Sequence, residues 1–340
     1  MPELTFQQND PFIMKLFPSD CFVCGREIDI EGWCESCESD AFEENFKNWT
    51  SGNPNIDDFI KNTQLNATER GSYLEYIDFD QFESVEYIKN TSYSTIYSAM
   101  WMEGPRQTWD EDAEQWIRDG PTRVALKRID NSLNISEEYL NQMYKHRTCF
   151  RKGKLAYYYG ITKVSETFMV VMKYYDEQDL YSYLSKTFGI LRFETIVDML
   201  WDITGGLEIL HDNELIHGNI HSGNILINKV GSNNIGLVDT SIADVGMHDS
   251  IEKNPIEKFR ALRFVAPEIL YGFPPTKASD IYSVGMIMRT LGAAYHHSAT
   301  EKIPDIYIEL MNQCLDPDPS KRPTIFELFG ELENSLFFED

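Results

Sequence analysis

Four cysteines arranged as Cys21-x2-Cys24 and, nine residues later, Cys34-x2-Cys37 leave the first part of this chain few ways to fold. Two Cys-x2-Cys knuckles can bring four thiolates around one tetrahedral zinc ion, and Gly25 and Gly32 permit the tight turns that aim backbone N–H groups at sulfur. A disulfide pairing is the alternative, and it needs an oxidising compartment for which nothing in the sequence argues. The spacing therefore predicts a four-cysteine zinc-ribbon-like module over residues 1–39, held by Cys21, Cys24, Cys34 and Cys37. A segment this short has little core, so its folding is expected to depend on the metal. The remaining Cys149 and Cys314 stand in apolar or helical contexts and read as buried thiols.

From Asp40 to about Gly71 the chain is polar and partly helical. Phe42, Phe46 and Trp49 recur at helical spacing, Ser51-Gly52-Asn53-Pro54 stops that helix, and Ile56, Phe59 and Ile60 resume an apolar stripe. Aromatic residues so placed make a packing surface, so residues 40–75 are expected to form a helical bridge that docks the ribbon onto the next domain. Charge narrows the partners: 55 acidic against 30 basic residues give a net charge of -25. The first 80 residues alone carry 17 acids and 5 bases. Such a field repels phosphate backbones, which excludes nucleic acid; the acidity serves solubility, and the alternative is a protein partner with a basic face. No apolar run has the length of a membrane span, and Met1 to Asp20 lacks the basic-then-apolar pattern of a secretory leader. An intracellular, cytoplasmic protein is expected.

Beyond Leu74 the chain carries a series of distinct tracts. Val124-Ala125-Leu126-Lys127 starts β-branched and alternates, as a strand does. Phe168-Met169-Val170-Val171-Met172 reads as a buried strand running into Lys173-Tyr174-Tyr175. His217-Gly218-Asn219-Ile220-His221-Ser222-Gly223-Asn224 comes next, then Ala266-Pro267-Glu268, Ser279-Asp280-Ile281-Tyr282-Ser283-Val284-Gly285, and Cys314-Leu315-Asp316-Pro317 with Lys321-Arg322-Pro323. In this order they resemble the protein kinase family, closest to its tyrosine-kinase-like serine/threonine branch, from about Tyr76 to Leu332. The resemblance implies an α+β, bilobal protein-kinase fold over 76–335, with a small β-rich lobe at 76–172 and a large helical lobe at 176–335. It further implies that Lys127 grips nucleotide phosphates, that Met172 guards the back of the nucleotide pocket beside a hinge containing Tyr174, and that Asn224 and a motif aspartate hold magnesium. Two aspartates compete for that last role, Asp239 in Val238-Asp239-Thr240 and Asp244 in Ile242-Ala243-Asp244-Val245-Gly246. Asp244 is favoured by the apolar residue and glycine after it and by its distance to Ala266-Pro267-Glu268, with Val230 to Asn234 absorbing the longer gap as a surface turn. Glu268 would pair with Arg322, and Asp280 would accept backbone N–H bonds from the His217 tract.

The same resemblance shows what is missing. The family reads His-Arg-Asp where this chain has His217, Gly218 and Asn219, and an amide has no oxygen basic enough to take the proton of a substrate hydroxyl. Within Val85 to Tyr97, Lys89, Thr91 and Ser94 occupy the three glycine places of a phosphate-covering loop. A Cβ there obstructs the approach of backbone N–H groups and costs roughly 1 to 2 kcal/mol wherever φ must be positive. Lys89 offsets part of that loss by attracting phosphate; the alternative is a β-hairpin over an empty cleft. In the helix capped by Ser136, the glutamate that would orient Lys127 aligns with Gln142, and Glu138 could replace it only if the helix slid by one turn.

Regulation is altered too, since the only hydroxyl-bearing side chain between Asp244 and Ala266 is Ser250, and Gly218 stands where an arginine would pair with its phosphate. Leu291 to Tyr307 is short for the family's docking subdomain, which is either lost or rebuilt from Gly292 to His297. Adjacent His296 and His297 point apart and read as a solvated turn. A positioned base is worth about 10² to 10⁴ in rate, and here base, glutamate and glycines are all replaced. The expectation is a pseudokinase, a signalling scaffold or allosteric partner of other proteins, with residual ATP and magnesium binding at Lys127, Asn224 and Asp244. Two alternatives stand beside it. One is an active ATP-dependent serine/threonine kinase in which Asp239 or a water replaces the base. The other is an interaction protein whose zinc module does the work on a kinase-fold support.

Overall fold

Period-two alternation in the strand tracts sorts their side chains onto two faces, and both faces are covered. The computed structural model describes residues 20–29, 32–90, 94–110, 115–129, 137–148, 154–187, 191–229, 238–245, 261–295 and 302–336. Strands β1 (Glu75–Tyr76), β2 (Phe82–Asn90) and β3 (Ser94–Trp101) are followed by a separate hairpin, β4 (Arg106–Asp110) and β5 (Gln115–Arg118). Then come β6 (Thr122–Ile129), β7 (Tyr158–Val164) and β8 (Thr167–Lys173). The main sheet runs β1-β7-β8-β6-β3-β2, with β1 parallel to β7 and every other pair antiparallel. Val124, Leu126, Met169 and Val171 point to one face, around buried Trp101 and Phe82. Their neighbours Ala125, Val170 and Met172 point to the other, where Leu74, Tyr158 and Met143 of helix α3 (Glu137–Thr148) close the core.

The segment before the sheet is built into it. Cys37 lies on helix α1 (Glu35–Asn45), whose Phe42 packs edge-on against Tyr73 at 4.7 Å, while Trp33 stacks on the same tyrosine at 5.7 Å. Arg106 lays its guanidinium 5.2 Å from the Phe42 ring and pairs with Glu75, as does Arg118 at 2.5 Å, so the β4–β5 hairpin fastens this corner. The helix expected to run through Trp49 ends sooner. Phe46–Asn48 tightens into a 3-10 turn and Trp49 turns extended to stack on Tyr76 at 5.9 Å, so the three aromatics do not share one helical face. Helix α2 (Pro54–Leu65) starts where Asn53 accepts the Asn55 N–H, with proline preset at its first turn. Its Ile56 and Ile60 are fully buried against Leu140 of α3 and Ile161 and Phe168 of the sheet. At its far end Gln64 donates to the Leu74 carbonyl and Thr63 accepts the Leu74 N–H.

Below the sheet the chain is mostly helical: α4 (Leu180–Lys186), α5 (Phe193–Asp212), a β9 (Ile225–Lys229) and β10 (Val238–Ile242) ribbon, α6 (Pro267–Leu270), α7 (Lys277–Ala293), α8 (Asp305–Cys314) and α9 (Ile325–Leu336). Leu200, Ile203 and Leu207 of α5 and Val284, Ile287 and Met288 of α7 centre one continuous core. Gly285 lets α7 meet α8: a Cβ there would stand 2.8 Å from the Cys314 Cβ. Cys314 is buried, which pushes its thiol up to about 12, whereas Cys149 lies outside the described residues. Arg322 grips Glu268 through two bonds of 2.6 and 2.8 Å and also holds the carbonyls of Asp316 and Ala278. After α7 the backbone of Ala294 accepts the Leu191 N–H, and no helix intervenes before α8 among the described residues; His296 and His297 lie outside them. No helix among the described residues is long and apolar enough to cross a membrane.

Candidate nucleotide cleft and metal centre

The His217 tract is shaped by one buried carboxylate beneath it. Asp280, in the first turn of α7, accepts the N–H groups of His217 at 2.8 Å and Gly218 at 2.7 Å and contacts His211 Nε2 at 3.1 Å. Thr276 caps the same turn by a reciprocal exchange with Ser279. Gly218 sits at φ +67°, a conformation an arginine would reach only with strain, so its glycine is structurally apt. His217 accepts the Asn219 N–H at Nδ1, which leaves its proton on Nε2 to donate to the Ala243 carbonyl at 3.0 Å. Asn224 Nδ2 donates to the Asn219 carbonyl, and the Asn224 carbonyl receives the Ala243 N–H. The tract is thereby tied to the residue preceding Asp244.

Asp244 is the aspartate that reaches the lysine. Lys127 Nζ lies 2.5 Å from Asp244 Oδ1, joining the sheet to the lower lobe across the cleft. Burial pushes the Asp244 carboxyl up, but the adjacent Lys127 charge and hydrogen bond, helped by His217 and His221, outweigh it and hold the group below the usual carboxylate range. Tyr158, wholly buried and with its phenol pushed well above its ordinary value by that burial, lies 3.5 Å from the same oxygen and accepts the Asp244 N–H at 3.4 Å. Asp244 adopts φ +61°, the kind of backbone strain that concentrates at functional sites. Asp239 sits on β10, where its charge acts on Tyr175 and Asp202. Lys127 is therefore paired without a helix glutamate, and its carboxylate comes from Asp244. Gln142 is half-buried on α3; the Glu138 side chain and Ser136 lie outside the described residues.

Met172, at the end of β8, is buried against Ala125 and Val170, and Tyr174 follows β8 with the Arg123 guanidinium 4.1 Å from its ring centre. Lys89 and Ser94 do not have positive φ, so no left-handed strain attaches to those two positions as the glycine comparison suggested; Thr91 is outside the described residues. Lys89 does not point to an open phosphate site but pairs with Asp179. Two further cleft residues escaped sequence reading. His221 stands two places after Asn219; burial lowers its imidazole to about 4, and it feels the charges of Asp244, Asp179 and Lys127. Its Nδ1 accepts the Gly223 N–H, so the neutral ring carries its proton on Nε2. Asp179 caps α4 by accepting the Ser182 N–H at 2.7 Å. Ser250 and the Val230 to Asn234 turn fall outside the described residues.

The four N-terminal cysteines converge. Their sulfurs all lie within 4.8 Å of one another, with Cys21 to Cys37 at 3.7 Å and Cys24 to Cys34 at 3.5 Å. A tetrahedron with metal–sulfur bonds of about 2.3 Å requires sulfur separations of about 3.8 Å, so the donor set and its spacing fit one thiophilic dication. Gly25 at φ +69° and Gly32 at φ +81° make the turns. Backbone N–H groups of Cys24 and Val23 aimed at Cys21 lower its thiol, whereas burial pushes the Cys34 and Cys37 thiols up.

Comparison with known proteins agrees with the cleft. The family model described as protein tyrosine and serine/threonine kinase matches residues 82–294. A probable serine/threonine-protein kinase of Dictyostelium discoideum is 27% identical over 240 residues, 63% of this chain and 46% of that protein, so the chain spans about half of that relative's length. The serine/threonine/tyrosine-protein kinase HT1 of Arabidopsis thaliana is 21% identical over 323 residues, 82% of this chain and 81% of that protein. With the family's match running from β2 through the His217 tract and Asp244 to the end of α7, the chain belongs to the protein kinase family.

Proposed function

We propose that this chain is a pseudokinase of the tyrosine-kinase-like branch, acting as a scaffold or allosteric partner of other signalling proteins. The observation that carries the reading is Asn219 in the place of the base, on a loop whose framing by Asp280 and His217 is intact. The loop is therefore ordered for its task yet presents an amide, which cannot take up a proton at neutral pH. His221, two places further on, has its Nδ1 occupied by the Gly223 N–H, so its only unprotonated ring nitrogen is already engaged. Lys127, Asn224 and Asp244 are the residues that would hold magnesium and ATP, a ligand whose chemistry is a transferable phosphoryl group. With magnesium and ATP the full chain is expected to show a small thermal stabilisation that Asp244→Ala abolishes, and no transfer of labelled phosphate to protein substrates. No shift at saturating ligand removes nucleotide binding, and an equal shift in the variant removes Asp244 from the site. Transfer that Lys127→Ala abolishes would establish instead the active kinase with a relocated base.

Zinc at Cys21, Cys24, Cys34 and Cys37 completes the proposal, supported by the sulfur spacing. Elemental analysis of the purified chain is expected to find a single zinc ion per molecule, with Cys34→Ser binding it at least tenfold more weakly. Full-length protein without stoichiometric metal, and with thiols freely reactive, would refute this.

A further inference from the structure

The cleft is bracketed by two lysine–carboxylate pairs, and only the inner one is made of residues that the family's motifs single out. Deep inside, Lys127 meets Asp244; at the mouth, Lys89 of β2 meets Asp179 at the start of α4, ninety residues further along the chain. Asp179 divides its oxygens, Oδ1 on the Ser182 N–H and Oδ2 on the lysine. It is firmly seated: its backbone bridges to Leu226 on β9, Gln178 accepts the Ile227 N–H, and its side chain is 9% exposed. Lys89 is 30% exposed and sits at a register irregularity of the β2–β3 pairing, between Tyr87 and Lys89, the kind of bulge that re-aims a side chain. His221 feels the charges of both Asp179 and Asp244.

We propose that the Lys89–Asp179 pair is a latch across the cleft mouth, opened by a phosphate-bearing ligand that takes the place of Asp179 on Lys89. Lys89 then selects for phosphate, and Asp179 is a competitor built into the protein. An uncharged ligand of the same cleft gains nothing from this exchange. The inference rests on the cleft being a nucleotide site, and the test separates the two. Asp179→Asn is the informative variant, because an amide oxygen still accepts the Ser182 N–H and preserves the cap while the competing charge is gone.

In calorimetric titration of the full chain, Asp179→Asn is expected to bind ATP about tenfold more tightly than the wild type, the worth of one charge-assisted contact, with adenosine affinity unchanged. Adding Lys89→Met to that variant should remove the gain. Unchanged ATP affinity in Asp179→Asn, or a gain that survives loss of Lys89, overturns the proposal. Should neither protein bind ATP, the nucleotide reading fails, and the latch is judged by ligand-free amide exchange. Faster exchange in residues 82–90 and 180–186 of both single variants supports it, and exchange equal to wild type overturns it.

Discussion

Asp280→Ala is expected to destabilise the chain by about 3 to 5 kcal/mol, read from the shift in a denaturant midpoint at constant slope. The carboxylate is 1% exposed and satisfies two backbone N–H groups of the His217 tract together with the His211 ring. Alanine leaves those donors buried without an acceptor, and each such group costs about 1 to 3 kcal/mol. Asp280→Asn keeps one acceptor oxygen and should lose roughly half as much. A loss below about 1 kcal/mol in the alanine variant would mean that the tract holds its shape by other means.

Ile60→Ala is expected to cost about 2 to 5 kcal/mol, although Ile60 precedes every strand of the sheet. Its side chain is fully buried where α2 meets α3, so truncation opens a cavity inside the small lobe rather than on a linker. Leu65, near the end of the same helix and 37% exposed, supplies the control, with an expected change within about 0.5 kcal/mol on replacement by alanine. If Ile60→Ala instead gives a separate, early transition while the main one is unmoved, then α1 and α2 fold as an independent appendage.

Much of the architecture was legible because short tracts fix it locally. The alternation in Val124 to Lys127 and the apolar run of Phe168 to Met172 marked two strands, and Arg322 and Asp280 are buried charges, with Glu268 half-buried, whose partners the family order supplies. What escaped depends on distant segments meeting in space. The β4–β5 hairpin has no strong apolar alternation, and its fastening is a charge contact with Glu75 on another strand. The partner of Lys127 turned on how Asp244 is held, and the engagement of Lys89 on where α4 begins. His221 had a local signal, a titratable ring inside a tract already singled out. Its low basicity comes from burial, which no spacing reports.

Cys37 and Phe42 lie five residues apart on α1, about 7.5 Å along its axis. A single rigid rod therefore has one end in the sulfur cluster and its middle against Tyr73. No slack lies between them, so the cysteine module behaves less like a tag on a string than like the handle of a lever. A force applied at its exposed tip, Phe22 and Val23, would be carried directly to Tyr73 and the sheet beside it.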